Sequence, residues 1–546
     1  MWLERVEISG FRGINRLSLN IGELNTTLIG ENTWGKSSLI EALTIALPAT
    51  QEMYSFVLRD FHVDHALSQP QTQAIEIVIT FRAQDEKEPN AGRYRRLRSL
   101  WQYETGKLPC IYYRISATRS EYDITSEYTF LTSTGKPLPL FNPQIFAKEL
   151  MSLHPVIRLY DARQHAAEQH ELQTQVNNRS EKRIDNTCRR LMMLPGHVDK
   201  AEMRSSLNTM NALVEHYFSF STNKHKSNGK DAHPIYSAPN QRQSIFDMLN
   251  DSQSKQTRLL FMGLLNAYLQ AKGPKQLRRT ARPILIIEDP EGRLHPTQLA
   301  RAWSLLSMLP VQKIVTTNSG DLLALVPLYS IRRLIKQVDR TQAFAISTSA
   351  LSRNELRKIG FHVRFHRSNA LFARCWLLVE GETEVWLFSE LARLSGYNLM
   401  AEGVQILEFA QSGLKALIKV AKAVGIDWHV VTDGDMAGKK YAATVENMLD
   451  GERKDHRLTS LPERDIEHFL YANGFEAFFK QLAKIPPDHP IPPKKVVARV
   501  LKRFAKPDLA LEIVNYCELH PENVIPKKLK WTLKRVITMA NANASP

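Results

Sequence analysis

The stretch that decides the fold is Gly30-Glu31-Asn32-Thr33-Trp34-Gly35-Lys36-Ser37. It matches the pattern G-x4-G-K-[ST] of phosphate-binding loops, whose glycines let backbone N–H groups curl around phosphate oxygens. The apolar run Thr26 to Ile29 precedes it, and residues 39 to 47 carry leucine and isoleucine at helical spacing. A strand, a glycine-rich turn and a helix are the context that such a loop requires. The sequence therefore predicts an α/β domain that binds a nucleotide.

Individual residues of this loop predict contacts with ATP and Mg²⁺. Lys36 is expected to reach the β- and γ-phosphate oxygens, and Ser37 to offer its hydroxyl to the metal. The other residues predicted to surround the nucleotide are Gly30, Glu31, Asn32, Trp34, Gly35 and Ser38.

A second strand should supply acidic residues to the same site. The run Ile284 to Ile287 ends in Glu288 and Asp289. We expect Glu288 to hold Mg²⁺ through its water shell and Asp289 to orient the attacking water. An apolar run that ends in acids is by itself a common strand end, but this one occurs with a phosphate-binding loop and is followed by Pro-Glu-Gly-Arg-Leu-His-Pro at 290–296. The combination of these features identifies the strand end as part of a nucleotide site more specifically than the acids alone.

Carboxylates also follow two later strand-like runs. Glu380 and Glu384 come directly after the run at 375–379, and Asp433 and Asp435 come after the run at 429–431. Acids at the carboxyl ends of neighbouring strands converge where doubly wound sheets bind ligands, and their hard oxygens suit Mg²⁺ or Mn²⁺. A pair of such ions supports phosphodiester cleavage. The sequence therefore predicts a metal-dependent catalytic site that contains Glu380, Asp433 and Asp435.

Three further residues have two interpretations each. Asp465 and Glu467 open a helix-like stretch and could add metal ligands, or they could simply be an acidic first turn. Lys506 could contact the scissile phosphate as a catalytic residue, or it could be a solvent-facing lysine at a helix start.

Composition limits the possible classes of function. The 546 residues, with 43% hydrophobic and 23% charged side chains, indicate an ordinary globular chain of about three domains. The sequence has neither a signal-peptide profile nor an apolar run long enough for a membrane span, which predicts a cytoplasmic protein. Four scattered cysteines offer neither a disulfide framework nor a zinc site. A formal charge of +16 favours nucleic acid as the partner, although an evenly basic surface would give the same total.

The first set of motifs resembles ABC-class ATPases of the SMC-like branch. Phe11-Arg12-Gly13 resembles that branch's Phe-Arg element, and residues 252–256 are similar to its signature S-x-G-x-Q, with Ser254 in place of glycine. The strand at 313–319 resembles its switch strand, with Asn318 where the family usually has histidine. The resemblance implies that Arg12, Ser252 and Asn318 contact the nucleotide and that the chain forms a homodimer. The two departures predict slow hydrolysis of ATP.

The second set resembles the Toprim fold, with Glu380 as its glutamate and Asp433 and Asp435 as its Asp-x-Asp. An SMC-like ATPase with a C-terminal Toprim domain resembles the OLD family of ATP-dependent endonucleases, and the residues at 372–376 and 409–414 look like its YbjD type. The resemblance implies ATP-dependent nicking or cleavage of DNA, in phage defence or DNA processing. It implies an α/β fold with these parts: an N-terminal ATPase lobe at 1–160, a helical dimerisation insertion at 161–240, a C-terminal ATPase lobe at 241–370, a Toprim domain at 371–484 and a basic helical segment at 485–546.

Toprim domains also occur in topoisomerases and primases. Topoisomerases need a DNA-gate domain with a nucleophilic tyrosine, and primases usually carry a zinc-binding segment; the sequence offers neither. The alternative that stays open is an ATP-gated DNA clamp or recombination mediator with an inactive Toprim domain. Basic clusters at 93–98, 494–503 and 527–535 could contact DNA phosphates, and each fits a solvated helix face equally well.

Overall fold

A computed structural model describes residues 1–63, 72–120, 123–159, 280–292, 295–307, 311–487, 489–520 and 525–542. The chain divides into two compact units. The first comprises Met1–Val326 and Ser330–Ala343, and the second comprises Pro327–Tyr329 and Phe344–Pro546. The predicted insertion at 161–240, the signature residues Ser252 and Ser254, and part of the predicted lobe at 241–370 lie outside the described residues.

The first unit contains both strands and helices. Its strands are β1 (Trp2–Phe11), β2 (Ile14–Asn20), β3 (Asn25–Ile29), β4 (Ala74–Arg82), β5 (Cys110–Arg119), β6 (Ile124–Leu131), β7 (Val156–Leu159), β8 (Ile284–Glu288), β9 (Gln312–Thr316), β10 (Ile331–Lys336) and β11 (Thr341–Ala345). Its described α-helices are α1 (Lys36–Ala46), α2 (Pro143–Leu153), α3 (Pro296–Ser307) and α4 (Gly320–Leu325). Short 3-10 helices lie at Leu58–Asp60, Glu88–Asn90, Gly92–Leu100 and Pro290–Gly292. A further 3-10 helix at Leu328–Ser330 and the last residues of β11 include residues of the second unit.

One sheet of this unit has the strand order β2-β1-β4-β5-β6, and every neighbouring pair is antiparallel. Along β1 the side chains alternate, with Val6 and Ile8 buried and Glu7 and Ser9 partly exposed. This period of two is the one that a half-buried strand requires, because successive side chains point to opposite faces.

The second sheet positions the phosphate-binding loop. Its order is β11-β10-β3-β9-β8-β7, and the pairs β10–β3, β3–β9, β9–β8 and β8–β7 are parallel. The central strands are almost continuously buried, as is typical of parallel sheets covered on both faces. Because β3 and β8 flank β9 and run the same way, the loop after β3 and the acids at the end of β8 lie at the same edge.

The second unit begins its regular structure with α5 (Arg353–Ile359), a π-helical turn at Gly360–Phe365 and a 3-10 helix at Ser368–Phe372. Its strands are β12 (Cys375–Val379), β13 (Val404–Glu408), β14 (Asp427–Thr432) and β15 (Leu458–Ser460). The remaining helices are α6 (Glu382–Leu394), α7 (Leu414–Ala423), α8 (Met436–Glu446), α9 (Lys454–Arg457), α10 (Ile466–Leu470), a π-helical turn at Tyr471–Phe475, α11 (Glu476–Leu482), α12 (Pro493–Leu501), α13 (Lys506–Leu519) and α14 (Lys527–Ala542).

The sheet of the second unit has the order β13-β12-β14-β15 and is parallel throughout. The C-terminal helices share one hydrophobic core with this sheet and its helices, through residues such as Val496, Ile513 and Leu533. The sequence predicts a separate segment from residue 485 onward, whereas in the structure the Pro-rich stretch connects helices of one body. The reason is that α12 and α14 are amphipathic and bury their apolar faces.

The α/β class predicted from the sequence is confirmed. None of the described helices has the length and apolar character that crossing a bilayer requires.

Candidate functional site

The phosphate-binding loop ends in a left-handed residue at the start of α1. Gly35 has a φ of 93° and is the N-cap of that helix. A Cβ at this position would lie 3.0 Å from Ile14 Cγ1, in a backbone conformation that L-residues rarely adopt. The loop therefore needs glycine here, and the N-terminus of α1 that follows offers backbone N–H groups of the kind that can bind an anion.

Lys36 is buried at the first position of α1. Its Nζ donates hydrogen bonds to the Gly30 carbonyl oxygen and, over 2.9 Å, to Asn318 Oδ1. Burial lowers the pKa of Lys36, and the negative charges of Asp289 and Glu291 oppose that shift. The structure thus brings together three residues that the sequence assigns to the nucleotide: Lys36, Asp289 and Asn318.

Glu288 lies in a chain of ion pairs at the end of β8. Its two carboxylate oxygens accept hydrogen bonds from Nε and Nη2 of Arg158, on β7. Arg158 Nη1 also donates to Glu41 Oε2 over 2.7 Å, and Glu41 Oε1 lies 3.7 Å from Arg12 Nη1. Arg12 in turn contacts Asp60 Oδ1 at 3.0 Å. The predicted residues Glu288 and Arg12 therefore belong to one chain of alternating charges, in which each carboxylate has a cationic partner.

Glu291 is a residue of this site that the sequence prediction missed. Its Oε1 accepts hydrogen bonds from the Asn318 backbone N–H, over 2.7 Å, and from the Thr317 hydroxyl, over 2.9 Å. Burial raises the pKa of Glu291, and its Oε2 is buried without a hydrogen-bonding partner among the described residues. The signal that could have identified it is the Pro-Glu dipeptide directly after Glu288 and Asp289.

Other predicted residues of the loop have separate positions. Ser37 is exposed on the first turn of α1, and Ser38 Oγ accepts a hydrogen bond from Gly13 N–H over 3.2 Å. Trp34 is buried, with the Arg333 guanidinium 5.6 Å from its ring centroid. Ser252 lies outside the described residues.

The second unit carries the carboxylate cluster at the carboxyl edge of its parallel sheet. Glu380 follows β12, and Asp433 and Asp435 follow the neighbouring β14. Gly434 separates the two aspartates, and its N–H donates to the Glu463 carbonyl oxygen over 2.9 Å. A Cβ on Gly434 would lie 2.3 Å from that oxygen, so only glycine allows the chain to approach so closely. The packing of the backbone therefore requires the glycine between the two aspartates.

Asp433 is the acid of this cluster whose pKa is shifted most. Burial, followed by the charges of Glu384 and Glu380, raises the pKa of Asp433 to about 8. Asp465 and Glu467 contribute smaller increases in the same direction. The pKa of Glu380 is also raised, by burial and by Asp435 and Glu384, and its Oε2 is a buried atom without a hydrogen-bonding partner in the described part of the chain. Four other predicted acidic residues thus raise the pKa of Asp433.

Glu467 and Lys506 face each other beside this cluster. The Glu467 side chain is only 1% exposed, and its carboxylate has no hydrogen bond from a described residue apart from the ion pair with Lys506, whose Nζ lies 3.4 Å from Oε1. Burial raises the pKa of Glu467, while Lys506 acts in the opposite sense. Lys506 is the first residue of α13, and about half of its side chain is exposed. A ligand phosphate could therefore reach its ammonium group.

Three acids of the cluster also organise the backbone. Glu384 accepts from Gly381 N–H over 2.9 Å, Asp435 caps α8 through Gly438 N–H over 2.7 Å, and Asp465 caps α10 through His468 N–H over 2.9 Å. Burial opposes ionisation of Asp465, but the hydrogen bonds from His468 outweigh it and lower the pKa of Asp465. As the side chains stand, no three acidic, histidine or cysteine groups of the described residues are close enough together to hold a metal ion.

Two of the basic clusters lie on helices that expose their charged side chains. In the 3-10 helix at Gly92–Leu100, Tyr94 and Leu97 are buried and the arginines at 95, 96 and 98 are exposed. On α14, Lys527, Lys530 and Trp531 are exposed, whereas the leucines at 529 and 533 are in the core. Both clusters are therefore solvated faces of helices with an apolar inner side, a position that is compatible with contact to DNA.

Two family models match the chain. The model described as a protein of unknown function, DUF2813, matches residues 1–370. The model described as the TOPRIM domain of proteins like the overcoming lysogenization defect protein matches residues 371–435. The second match contains Glu380, Asp433 and Asp435.

Among curated proteins, the chain is similar to a protein of Escherichia coli strain K12 named as the uncharacterized protein YbjD. The two are 41% identical over 557 residues, and the similarity covers 100% of both chains. The second unit's carboxylates therefore have a full-length relative in which they can be compared residue by residue.

Among solved structures, the chain is similar to an SMC head bound to the C-terminal winged-helix domain of ScpA. Identity is 14%, the similarity covers 64% of this chain and 99% of that one, and the TM-score is 0.35. The C-terminal region of the Burkholderia pseudomallei OLD protein is 14% identical, with 32% of this chain and 100% of that one covered and a TM-score of 0.25. At these scores the likenesses add nothing to the topology described above.

Proposed function

The chain belongs to the DUF2813 family and carries an OLD-type TOPRIM domain, and from that premise we propose that it is an ATP-binding and ATP-hydrolysing DNA endonuclease that depends on divalent metal ions. The observation that carries the proposal is the carboxylate cluster at the ends of β12 and β14. Burial and neighbouring carboxylates raise the pKa of Asp433 to about 8. Such a concentration of negative charge is costly to maintain in a purely structural role, and strongly perturbed carboxylates mark functional sites.

As the side chains stand, no three of the described acidic groups could share one ion, so a bound cation would have to draw the carboxylates together. Two observations favour such a cation. The buried oxygens Glu380 Oε2 and both of Glu467 have no hydrogen bond from a described residue, and the donor set consists of hard carboxylates. Glu380, Asp433 and Asp435 would hold Mg²⁺ or Mn²⁺, with Glu384, Asp465 and Glu467 beside them. When bound, such ions activate water and stabilise the leaving oxygen of a phosphodiester.

Lys506 would bind the substrate in this site. Its exposed ammonium lies next to the buried Glu467 carboxylate, which raises the pKa of Lys506 against the effect of burial and keeps the group charged. A fixed positive charge beside the cluster would neutralise a phosphate oxygen and orient the phosphodiester towards Glu380 and Asp433.

The first unit would bind ATP through the loop at 30–37 and Lys36. Hydrolysis is expected to be slow, well below the typical ~10 per second of enzymes, because Asn318 offers an amide where an imidazolium would carry charge. ATP would then act as a conformational gate more than as a source of energy. The homodimer, the DNA partner and a role in phage defence or DNA processing are parts of this proposal.

A cleavage assay on supercoiled plasmid tests the proposal. Purified protein is incubated with Mg²⁺ or Mn²⁺, alone, with ATP or with a non-hydrolysable ATP analogue, and nicked and linear products are separated by electrophoresis. We expect products only when a metal is present, and a change in their rate with the analogue. DNA binding that responds to ATP, with no cleavage under any of these conditions, would instead favour an ATP-gated clamp.

A further inference from the structure

A cavity of about 320 Å³ lies in the second unit, beside the carboxylate cluster. Its lining includes the ring of Phe361, three basic side chains and three other polar ones; these are His362, His366, Arg367, Glu408, Gln411 and Ser412. Its volume lies at the lower end of the range for small-ligand sites, which is suited to one nucleobase with its sugar.

The cavity shares a loop with the proposed catalytic site. Glu408 ends β13 and is paired in register with Val379, the residue before Glu380. The loop after β13 is hydrogen-bonded to the backbone of the proposed catalytic residue Glu380, because Ala410 N–H donates to the Glu380 carbonyl oxygen over 3.2 Å. Gln411 follows directly and lines the cavity. A strand whose phosphodiester lies at Glu380 would therefore pass the mouth of the cavity.

The charges inside the cavity favour a base over a phosphate. Arg367 is already engaged, since Nη1 donates to the Ile406 carbonyl oxygen over 3.2 Å and Nη2 lies 3.9 Å from Glu408 Oε1. The Glu408 carboxylate would repel a phosphate, but it can accept a hydrogen bond from the exocyclic amine of a base. Gln411 can donate or accept on the same edge.

Phe361 supplies a stacking surface at the mouth. It lies on the π-helical turn at Gly360–Phe365, and its side chain is 55% exposed. Its ring is held edge-on against His366, with centroids 4.5 Å apart and planes at 77°, so the ring is positioned before any ligand arrives. Exposed aromatic rings in a basic setting are the surfaces on which unpaired bases stack.

The chain around this turn carries the positive charge that a DNA backbone needs. Residues 353–374 contain six lysines and arginines and one acid, Glu355. That acid is paired with Lys419, whose Nζ lies 3.2 Å from Oε1. We propose that the cavity takes one unstacked nucleobase of single-stranded DNA next to the scissile phosphate. The inference rests on the proposed nuclease function and names its substrate class.

The test is binding of a fluorescein-labelled, non-self-complementary oligodeoxynucleotide of about 20 nucleotides to the full-length chain in EDTA, followed by fluorescence anisotropy. Phe361→Ala should weaken binding roughly 5- to 100-fold, the range that loss of one stacked base gives. Binding of the same sequence as a duplex should change less than about twofold, because its bases are already stacked. Phe361→Tyr should keep the affinity of the native protein.

Phe365→Ala is the matched control. Phe365 is on the same turn and is 61% exposed, but it does not line the cavity. We expect its removal to change affinity less than about twofold. An equal loss for both variants, or none for Phe361→Ala, would overturn the cavity assignment.

A second measurement places the base directly. A 2-aminopurine in the oligonucleotide should lose fluorescence when it stacks on Phe361 and keep it with Phe361→Ala; equal fluorescence with both proteins would overturn the proposal. These readouts need no cleavage. Selective loss of single-strand binding in a protein that never cuts DNA would therefore support the cavity and reject the nuclease, and unchanged binding in a protein that cuts would do the reverse.

Discussion

At the end of β8, Glu288 and Glu41 share the guanidinium of Arg158, and Arg12 contacts both Glu41 and Asp60. At the end of β12 and β14, by contrast, burial and the charges of Glu384 and Glu380 raise the pKa of Asp433 to about 8, and burial, Asp435 and Glu384 raise the pKa of Glu380. Both sites stand at the carboxyl edge of a parallel sheet and both are rich in acids. The difference is that arginines pair with the carboxylates of Glu288 and Glu41, whereas, among the described residues, Lys506 is the only lysine or arginine that pairs with an acid of the cluster around Asp433.

This difference teaches what each site needs from a ligand. A nucleotide brings its phosphates together with a metal, so a site for it would need Lys36 and the helix N-terminus and could leave Glu288 and Glu41 paired with Arg158. Phosphodiester cleavage by carboxylates depends on cations that the substrate does not bring, so an unbalanced cluster is the suitable arrangement. An acid-rich sheet edge is therefore informative only when the partners of the acids are known.

The largest expected effect comes from removing charge from the unbalanced cluster. Glu380→Gln and Asp433→Asn should each reduce cleavage of supercoiled plasmid in Mg²⁺ or Mn²⁺ by roughly 100-fold or more, because the cations lose a ligand and the attacking water its activation. ATP hydrolysis should stay close to that of the native protein. Glu446→Gln, at the far end of α8 where Glu446 pairs with Lys454, is the matched control and should cleave normally. Cleavage at the native rate by either site variant would show that the assignment is wrong.

A comparable change at the balanced site should affect the nucleotide alone. Lys36→Ala should weaken ATP binding by about 100-fold, since a buried ammonium that faces the phosphates loses a charge-assisted hydrogen bond of about 1.5–3 kcal/mol and its Coulomb attraction. It should also abolish any effect of a non-hydrolysable analogue on cleavage. Binding of a fluorescent ATP analogue measures the loss of ATP affinity, and the plasmid assay measures the loss of the analogue's effect on cleavage. Lys136→Ala, an exposed lysine of the same unit, is the control; tight ATP binding by Lys36→Ala would break the comparison.

The smallest expected effect is on the free energy of unfolding without metal, and the two sites should change it in opposite directions. Glu288→Gln should destabilise the fold by about 1–2 kcal/mol, because it leaves part of the Arg158 guanidinium without its partner. Asp433→Asn should stabilise it by about 1–2 kcal/mol, because one of several mutually repelling groups is removed. Both substitutions remove one negative charge and leave the size of the side chain almost unchanged. Urea unfolding in EDTA measures them, and shifts in the same direction would contradict the contrast between the two sites.

Much of this arrangement is readable from local sequence patterns. The strands at Ile284–Glu288, Cys375–Val379 and Asp427–Thr432 coincide with apolar runs that the sequence already marks, and each is followed by the predicted acids. The carboxyl ends of parallel strands meet at one edge of a sheet. Residues that directly follow two such strands, as Glu380 and Asp433 do, are therefore expected to lie at the same edge.

The partners of these acids are not readable in the same way. Arg158 reaches Glu288 across a separation of 130 residues because β7 pairs with β8, and no local periodicity encodes that pairing. Glu467 looks like any acid of a first helical turn, and only the packing of the C-terminal helices shows that it is buried beside Lys506. The sequence could propose both interpretations of Lys506 but could not choose between them.

Calorimetric titration of the native chain with Mn²⁺, without nucleotide or DNA, tests the central claim most directly. We predict saturable binding by the native protein and by Glu446→Gln, and its loss or strong weakening in Asp433→Asn, because only the latter removes a carboxylate from the unbalanced cluster. Native-like Mn²⁺ binding by Asp433→Asn, or no binding by the native chain, would contradict the claim that this sheet edge is a metal-dependent catalytic site.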